Sequence, residues 1–522
     1  MPIVTNIDSF HSGLRPGFRY IHTMELAGPI FARGGFGEVY ACLSINGAAP
    51  ASAQAVKILR DNGFGSARKG FEAIRKLQGK IRASNARRAA SGQPGLESLP
   101  ALRALPQFSF IGEMDGRQVL GYAADRLDTE GYVSLSAILD DYHEGYAPYE
   151  RLSMEDRLLL ATELVEGFQA LAEMSFIHAD INAPNLLVDV EDCHLAIIDY
   201  DSGAVTDRPD EQPTTFGKRD DWLAPEIKEQ MVMQPTTGAA VRVDRFTDTW
   251  SVFIGIHHLL FLFHPLFFFS TYVTRESVES YLERYEWPEI APDDPVFNPD
   301  FEPLYHQYRG DLDTLPMALV QKLKATMNDG HSDPRLRTSY QQWALVLRAT
   351  QRGPEIAFFV ADPETLVEGA RTRLSWRVTG AHQVSIDQGV GAVDAAGPIE
   401  LSPSAGTTYT LSARARNGVS VTEYTSVRVW PIPVVRSVAV PTCHVYQQVS
   451  LRALPAAIPP IRLPIAIDLA VQVKEPSLKR GAVEAVQVAH ARTPRRFPRL
   501  AVRLGGQISA LFDQLRSATT RP

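Results

Sequence analysis

Cysteine is scarce in this chain. Cys42, Cys193 and Cys443 are all that 522 residues contain, and their wide separation argues against both a disulfide framework and the short spacings of a zinc site. A reducing, cytoplasmic setting is therefore expected. Also missing is a basic cluster followed by an apolar stretch at the start, from Met1 to Asp8, so no secretory leader is expected. Long apolar runs are rare. The exception, Val252 to Phe269, is interrupted by His257, His258 and His264, and Pro265 should end its helix. As a continuous helix it would reach only about 27 Å at ~1.5 Å per residue, so it reads as a helix buried on all sides and not as a membrane span. With 45% hydrophobic and 21% charged residues the composition is globular, and the length calls for more than one domain.

What is present is a concentrated set of oxygen-bearing side chains. His178-Ala179-Asp180-Ile181-Asn182-Ala183-Pro184-Asn185 is followed by the apolar run Leu195 to Ile198, which delivers Asp199. A carboxylate shortly ahead of a carboxamide, with a second carboxylate at the end of a short hairpin, is what phosphoryl transfer from a metal-bound nucleotide requires. Asp180 can accept or orient the proton of a hydroxyl nucleophile. Asn185 and Asp199 offer hard oxygens to Mg, with Asp201 as a further candidate.

These residues resemble the catalytic and metal-binding loops of the eukaryotic-type protein kinase family. Other marks of that family follow in order: Ala32-Arg33-Gly34-Gly35-Phe36-Gly37-Glu38-Val39 is similar to its glycine-rich loop, and Lys57 in Ala55-Val56-Lys57-Ile58 to its nucleotide-binding lysine. Gly34, Gly35, Gly37 and Val39 would cover the ATP phosphates. Glu72, in Phe71-Glu72-Ala73-Ile74-Arg75-Lys76-Leu77, would be the helix glutamate that pairs with Lys57. Downstream, Trp222-Leu223-Ala224-Pro225-Glu226, Asp248-Thr249-Trp250-Ser251 and Arg337 resemble the end of an activation segment, the start of a central helix and the arginine that pairs with Glu226. Asp125 to Leu127 would form the hinge against adenine.

The resemblance implies an α+β bilobal protein-kinase-like fold over residues 21–352, preceded by an N-terminal extension, 1–20. It implies an ATP- and Mg-dependent kinase acting on Ser/Thr hydroxyls of protein substrates, with Asp180, Lys57, Asn185 and Asp199 as catalytic groups. The chain departs from the pattern at four places: Ala32 replaces the first loop glycine, Ala179 the arginine of the catalytic loop, Asn182 a lysine near the transferred phosphate, and Asp199-Tyr200-Asp201-Ser202-Gly203 the Asp-Phe-Gly sequence. The last is similar to a divergent bacterial kinase group, which implies a phosphatase and a von Willebrand-type protein as partners. Without the arginine, activity should not depend on phosphorylation of Thr206, Thr214 or Thr215. Two rivals stay open: a small-molecule phosphotransferase, and a pseudokinase that binds nucleotide and partners without turnover.

Beyond Gly353-Pro354 the pattern turns to strands. Leu374, Trp376 and Val378, then Val384 and Ile386, then Tyr409, Leu411 and Ala413 alternate with polar residues, and Asn417-Gly418 is a hairpin signal. An all-β sandwich over 355–432 is expected, and its phrases resemble a bacterial immunoglobulin-like module. The remainder, 433–522, carries thirteen Lys/Arg against four Asp/Glu, a net +9 that leaves −17 on the rest of the chain. This basic, proline-containing tail is expected to be partly disordered. Elsewhere, the basic stretch Lys80 to Arg88 reads as a solvated helix end in preference to a nucleic-acid surface.

Overall fold

A computed structural model describes residues 1–14, 20–29, 37–60, 65–208, 211–213, 221–237, 241–270 and 274–432. Six strands open the chain: β1 (Ile3–His11), β2 (Met24–Pro29), β3 (Gly37–Ile45), β4 (Gln54–Leu59), β5 (Phe108–Met114) and β6 (Arg117–Asp125). Helix α1 (Ser66–Ala90) lies between β4 and β5. The strands close into an antiparallel barrel in the order β1-β2-β3-β4-β6-β5, because β1 pairs with both β2 and β5. Val4, Met24, Leu26, Val56, Ile58, Phe108, Phe110 and Ala123 fill one apolar core.

This closed barrel corrects the expected architecture. The bilobal protein-kinase-like fold, with its open N-terminal sheet, is not what the chain builds: a closed barrel is followed by helices and then by separate β-sheets. The physical reason lies ahead of the motifs. Residues 3–11, read as part of an extension, form the strand that joins the two sheet edges, and Val4 is fully buried. An edge covered in this way no longer presents free backbone donors and acceptors.

Strand alternation sorts β4 residue by residue. Val56 and Ile58 enter the barrel, so Lys57 points to the outer face. Register places Val39 and Tyr122 on either side of Lys57, so the three share that face. Gly37 is needed where β3 meets β4, since a Cβ there would stand 2.5 Å from the Ile58 carbonyl oxygen. Helix α1 buries Phe71, Ile74, Leu77 and Ile81 at helical spacing. Each such side chain contributes about 1.5–3 kcal/mol on burial.

After β7 (Tyr132–Ser134) and the short helices α2 (Leu135–Ile138) and α3 (Tyr146–Glu150) comes α4 (Met154–Glu173), which starts on a reciprocal Ser153/Asp156 capping box. Then follow β8 (Phe176–Ile177), β9 (Leu186–Asp189), β10 (His194–Ile197) and β11 (Ala204–Val205). Helices α5 (Pro225–Thr237), α6 (Thr247–Phe261), α7 (Arg275–Leu282), α8 (Glu302–Thr314), α9 (Met317–Met327), α10 (Asp329–Ser332) and α11 (Tyr340–Thr350) complete this part. Every residue of α6 is buried, which accounts for its apolar character on all sides. It ends at Phe261, with Leu262 in the left-handed region (φ 68°), before Pro265 is reached. Among the described residues no helix is long and apolar enough to cross a membrane.

Eight strands follow: β12 (Glu355–Asp362), β13 (Thr365–Val367), β14 (Thr372–Thr379), β15 (Gln383–Ile386), β16 (Gly391–Val393), β17 (Ala396–Leu401), β18 (Thr407–Arg414) and β19 (Ser420–Trp430). They form two sheets, β12-β14-β17 and β13-β19-β18-β15-β16, around a shared core that includes Leu374, Trp376, Ile386, Tyr409, Leu411 and Val427. The β18–β19 hairpin reaches the helices: Arg416 pairs with Asp156 at 3.3 Å and Asn417 bonds Gln351 at 3.3 Å. The expected basic tail, 433–522, lies outside the described residues.

Candidate active site

The β9–β10 hairpin builds the first half of the site. Pairing of Leu186 with Ile197 brings Asn185, just before β9, opposite Ile198, just after β10, and the Ile198 N–H bonds the Asn185 carbonyl at 3.0 Å. Asp199 follows in a left-handed conformation (φ 69°) that non-glycine residues rarely adopt. The preceding loop contains a second such residue, Ala179 (φ 63°). What holds it is the buried Asp248 carboxylate at the start of α6, which accepts the N–H of His178 at 2.6 Å and of Ala179 at 3.0 Å. Burial pushes the Asp248 carboxyl up to about 6, against the lowering effect of those two bonds. The His178 ring donates from Nε2 to the Ile198 carbonyl at 2.9 Å, which ties the two loops together.

Asp180 is half-buried between them. Its backbone carbonyl accepts from the Asn185 amide at 2.7 Å, and its carboxylate accepts from the Asn182 amide at 2.8 Å. Burial raises its carboxyl to about 7, helped by the Asp199 charge and opposed by Lys57. A carboxylate tuned to neutrality is suited to proton transfer.

The barrel's outer face supplies the second half. The Lys57 ammonium contacts Asp199 Oδ1 directly and bonds Asp201 Oδ1 at 2.7 Å. Burial alone would lower this ammonium, but the two carboxylates hold it well above its usual range. Burial would likewise raise Asp199, yet Lys57 keeps it down. Asp201, whose side chain is less exposed than that of Asp199, is pushed up by burial. Tyr122 donates its phenol to Asp201 Oδ1 at 3.0 Å. Sequence reasoning missed Tyr122, and its place beside Lys57 in the register was the only signal for it.

Glu72 is not part of this cluster. It is exposed on α1 and pairs with Arg68 at 3.4 Å, so the expected Lys57–Glu72 contact is replaced by Lys57–Asp201. Gly34 and Gly35 lie outside the described residues, as do Thr214 and Thr215. Gly37 and Val39 sit on β3 next to Leu59 and Lys57. Asp125, expected in a hinge, is buried and accepts from Gln54 at 2.9 Å and Gln107 at 2.7 Å. Thr206 bonds the Ser175 carbonyl through its hydroxyl at 3.1 Å. Glu226 and Arg337 form a two-pronged pair at 2.9 and 2.5 Å, with the guanidinium also bonded to the Gly330 and Phe246 carbonyls.

The donor chemistry fits Mg. The Asn185 NH2 is spent on Asp180, which leaves the carboxamide oxygen as a hard donor, and the Asp199 side chain is 24% accessible. Among the described residues no group of three or more His, Cys, Asp or Glu could hold a metal unaided. Substrate phosphates would have to complete the shell, as is usual for Mg. Beside the His178 to Asn185 loop runs a cleft lined by Ala179, Asn182, Trp222, Leu223, Thr247 and Ser251. No family model matches this chain, and no curated protein is significantly similar to it.

Proposed function

We propose that this protein is an ATP- and Mg-dependent kinase that transfers the γ-phosphoryl group to Ser/Thr hydroxyls of protein substrates. The reading rests on one observation: Lys57, remote in sequence from Asp180, Asn185 and Asp199, is linked with them through direct contacts and the His178–Ile198 bond into one cluster. It does not require the two-lobed scaffold expected from the motifs, because catalysis depends on the placement of a few groups.

In the proposed step the acceptor hydroxyl gives its proton to the Asp180 carboxylate. Its oxygen forms the new bond to the γ-phosphorus, and the bond from that phosphorus to the bridging oxygen breaks, releasing ADP. Lys57 sets the phosphates by charge, and Asn182 holds the Asp180 carboxylate in one orientation. Asn185 and Asp199 would hold Mg, which supplies neutralisation of phosphate charge when bound. Cytoplasmic location, and work beside a phosphatase and a von Willebrand-type protein, belong to the same proposal.

The test is incubation of the purified chain with γ-labelled ATP and Mg, with a generic basic protein and, separately, with a panel of small hydroxyl compounds. Label on protein is the expected result. Label on small molecules only, or none at all, overturns this reading.

A further inference from the structure

We infer that Asp201, steadied by Tyr122, is the residue that positions Lys57, and that helix α1 contributes no charge to this task. The inference rests on the phosphoryl-transfer reading and assigns Asp201 a positioning role in place of metal ligation. Four observations carry it. Lys57 Nζ bonds Asp201 Oδ1 at 2.7 Å, and the Tyr122 phenol donates to that same oxygen at 3.0 Å. Lys57 and Tyr122 are register partners on β4 and β6, so the rigid barrel wall fixes both donors relative to each other. Asp201 is only 6% exposed, and its backbone packs so closely on α1 that a Cβ at Gly70 would lie 3.0 Å from its carbonyl oxygen. That approach admits glycine and leaves little room for Asp201 to withdraw.

The fourth observation concerns Glu72. Its side chain is exposed and paired with Arg68, and α1 is held in place from several directions. Arg75 and Arg82 lie over the Phe10 ring of β1 at 5.0 and 4.3 Å, Lys76 pairs with Glu211 at 2.8 Å, and Lys80 with Asp207 at 2.7 Å. Phe71, Ile74 and Leu77 are buried beneath it. Lys57 is thus aligned by a contact that exists without any helix movement, and the alignment is built into the resting chain.

The test compares Asp201→Asn, Tyr122→Phe, Glu72→Gln and Asp199→Asn in the full chain, each first checked for cooperative unfolding. Asp201→Asn should lower kcat roughly 10- to 100-fold through misplacement of Lys57 while leaving the Mg concentration for half-maximal rate unchanged. Tyr122→Phe, which removes a single hydroxyl, should lower kcat about threefold to tenfold, and it carries the test if Asp201→Asn does not fold. Asp201→Glu should restore part of the loss. Glu72→Gln should change kcat less than about twofold, as for other exposed helix pairs. Asp199→Asn, in contrast, should raise the Mg requirement.

A second readout needs no nucleotide: reductive methylation of Lys57, followed by mass spectrometry, should accelerate in Asp201→Asn and Tyr122→Phe and stay unchanged in Glu72→Gln. Lys57 labelling unaltered by Asp201→Asn and Tyr122→Phe, or an Mg requirement shifted by Asp201→Asn as by Asp199→Asn, overturns the positioning role. A wild-type chain that neither binds nor cleaves ATP, with labelling altered as expected, locates the failure in the phosphoryl-transfer reading instead.

Discussion

In the C-terminal sheets the buried polar side chains are Thr372 and Thr425, whereas the region between the barrel and α6 buries Lys57, His178, Asn185, Asp201 and Asp248. The two regions also differ in backbone geometry. Ala179 and Asp199 hold positive φ on the two loops of the candidate site, while in the sheets the one such non-glycine residue, Gln388, sits in a turn beside Gly389. Taking an ion out of water costs several kcal/mol even when it is paired, so a buried ammonium facing two carboxylates is weak evidence for stability and better evidence for a site. The sheets, built on alternation around Trp376, show what this chain does where only packing is required. The contrast teaches where destabilising features are concentrated, and it can be broken or sharpened by substitution.

The largest effect should come from Asp180→Asn. If Asp180 is a general base, turnover should fall by about 10² to 10⁴, and an unchanged rate would reject its role. Trp376→Ala should act on stability instead. Removing a ring that is 5% exposed, and the indole bond to the Asp394 carbonyl at 2.8 Å, should destabilise the sheets by about 3–5 kcal/mol in chemical denaturation. Its turnover in the proposed phosphoryl transfer should match wild type at temperatures where both stay folded.

A third test uses pH. Asp180 is raised to about 7 in the folded chain from an ordinary 3.8, so the folded state holds its proton more tightly than the unfolded chain does. That contribution to stability is fully present below the unfolded value and is lost as pH rises through about 7. Asp180→Asn cannot titrate, so its urea midpoint should fall less than that of wild type between about pH 4 and 7. An equal fall in both proteins would show that Asp180 is not buried as described. The smallest effect belongs to Thr206. Its hydroxyl is tied to the Ser175 carbonyl, so replacing Thr206, Thr214 and Thr215 together with alanine should cost about 0.5–1.5 kcal/mol at Thr206 and leave turnover within about twofold. A collapse of turnover would mean that a phosphate on this segment is required after all.

Local patterns were legible wherever the chemistry is local. The alternation of Leu374, Trp376 and Val378 is that of a strand with one buried face, and these residues lie in the shared core of the two sheets. The Asp180 to Asn185 spacing and the apolar strand ending at Asp199 are close in sequence, and the hairpin register joins them. The partner of Lys57 was not legible. Glu72 satisfied helical spacing, but which helix face turns toward β4 depends on how Gly70 packs on Asp201 and how Phe10 engages Arg75 and Arg82. The barrel was missed for a similar reason: β1 carries an ordinary strand pattern, and only its pairing with both β2 and β5 reveals closure.

The amino-acid sequence by itself determined which charged and oxygen-bearing side chains the candidate site draws on, and in what order they arrive, because spacing within a loop or a strand follows from backbone geometry alone. Tertiary structure decided that Asp201 and Tyr122, rather than Glu72, meet Lys57, and that the N-terminal sheet closes on itself. Both outcomes are contacts between segments distant along the chain, where the deciding quantity is how whole faces pack and not what any one segment prefers.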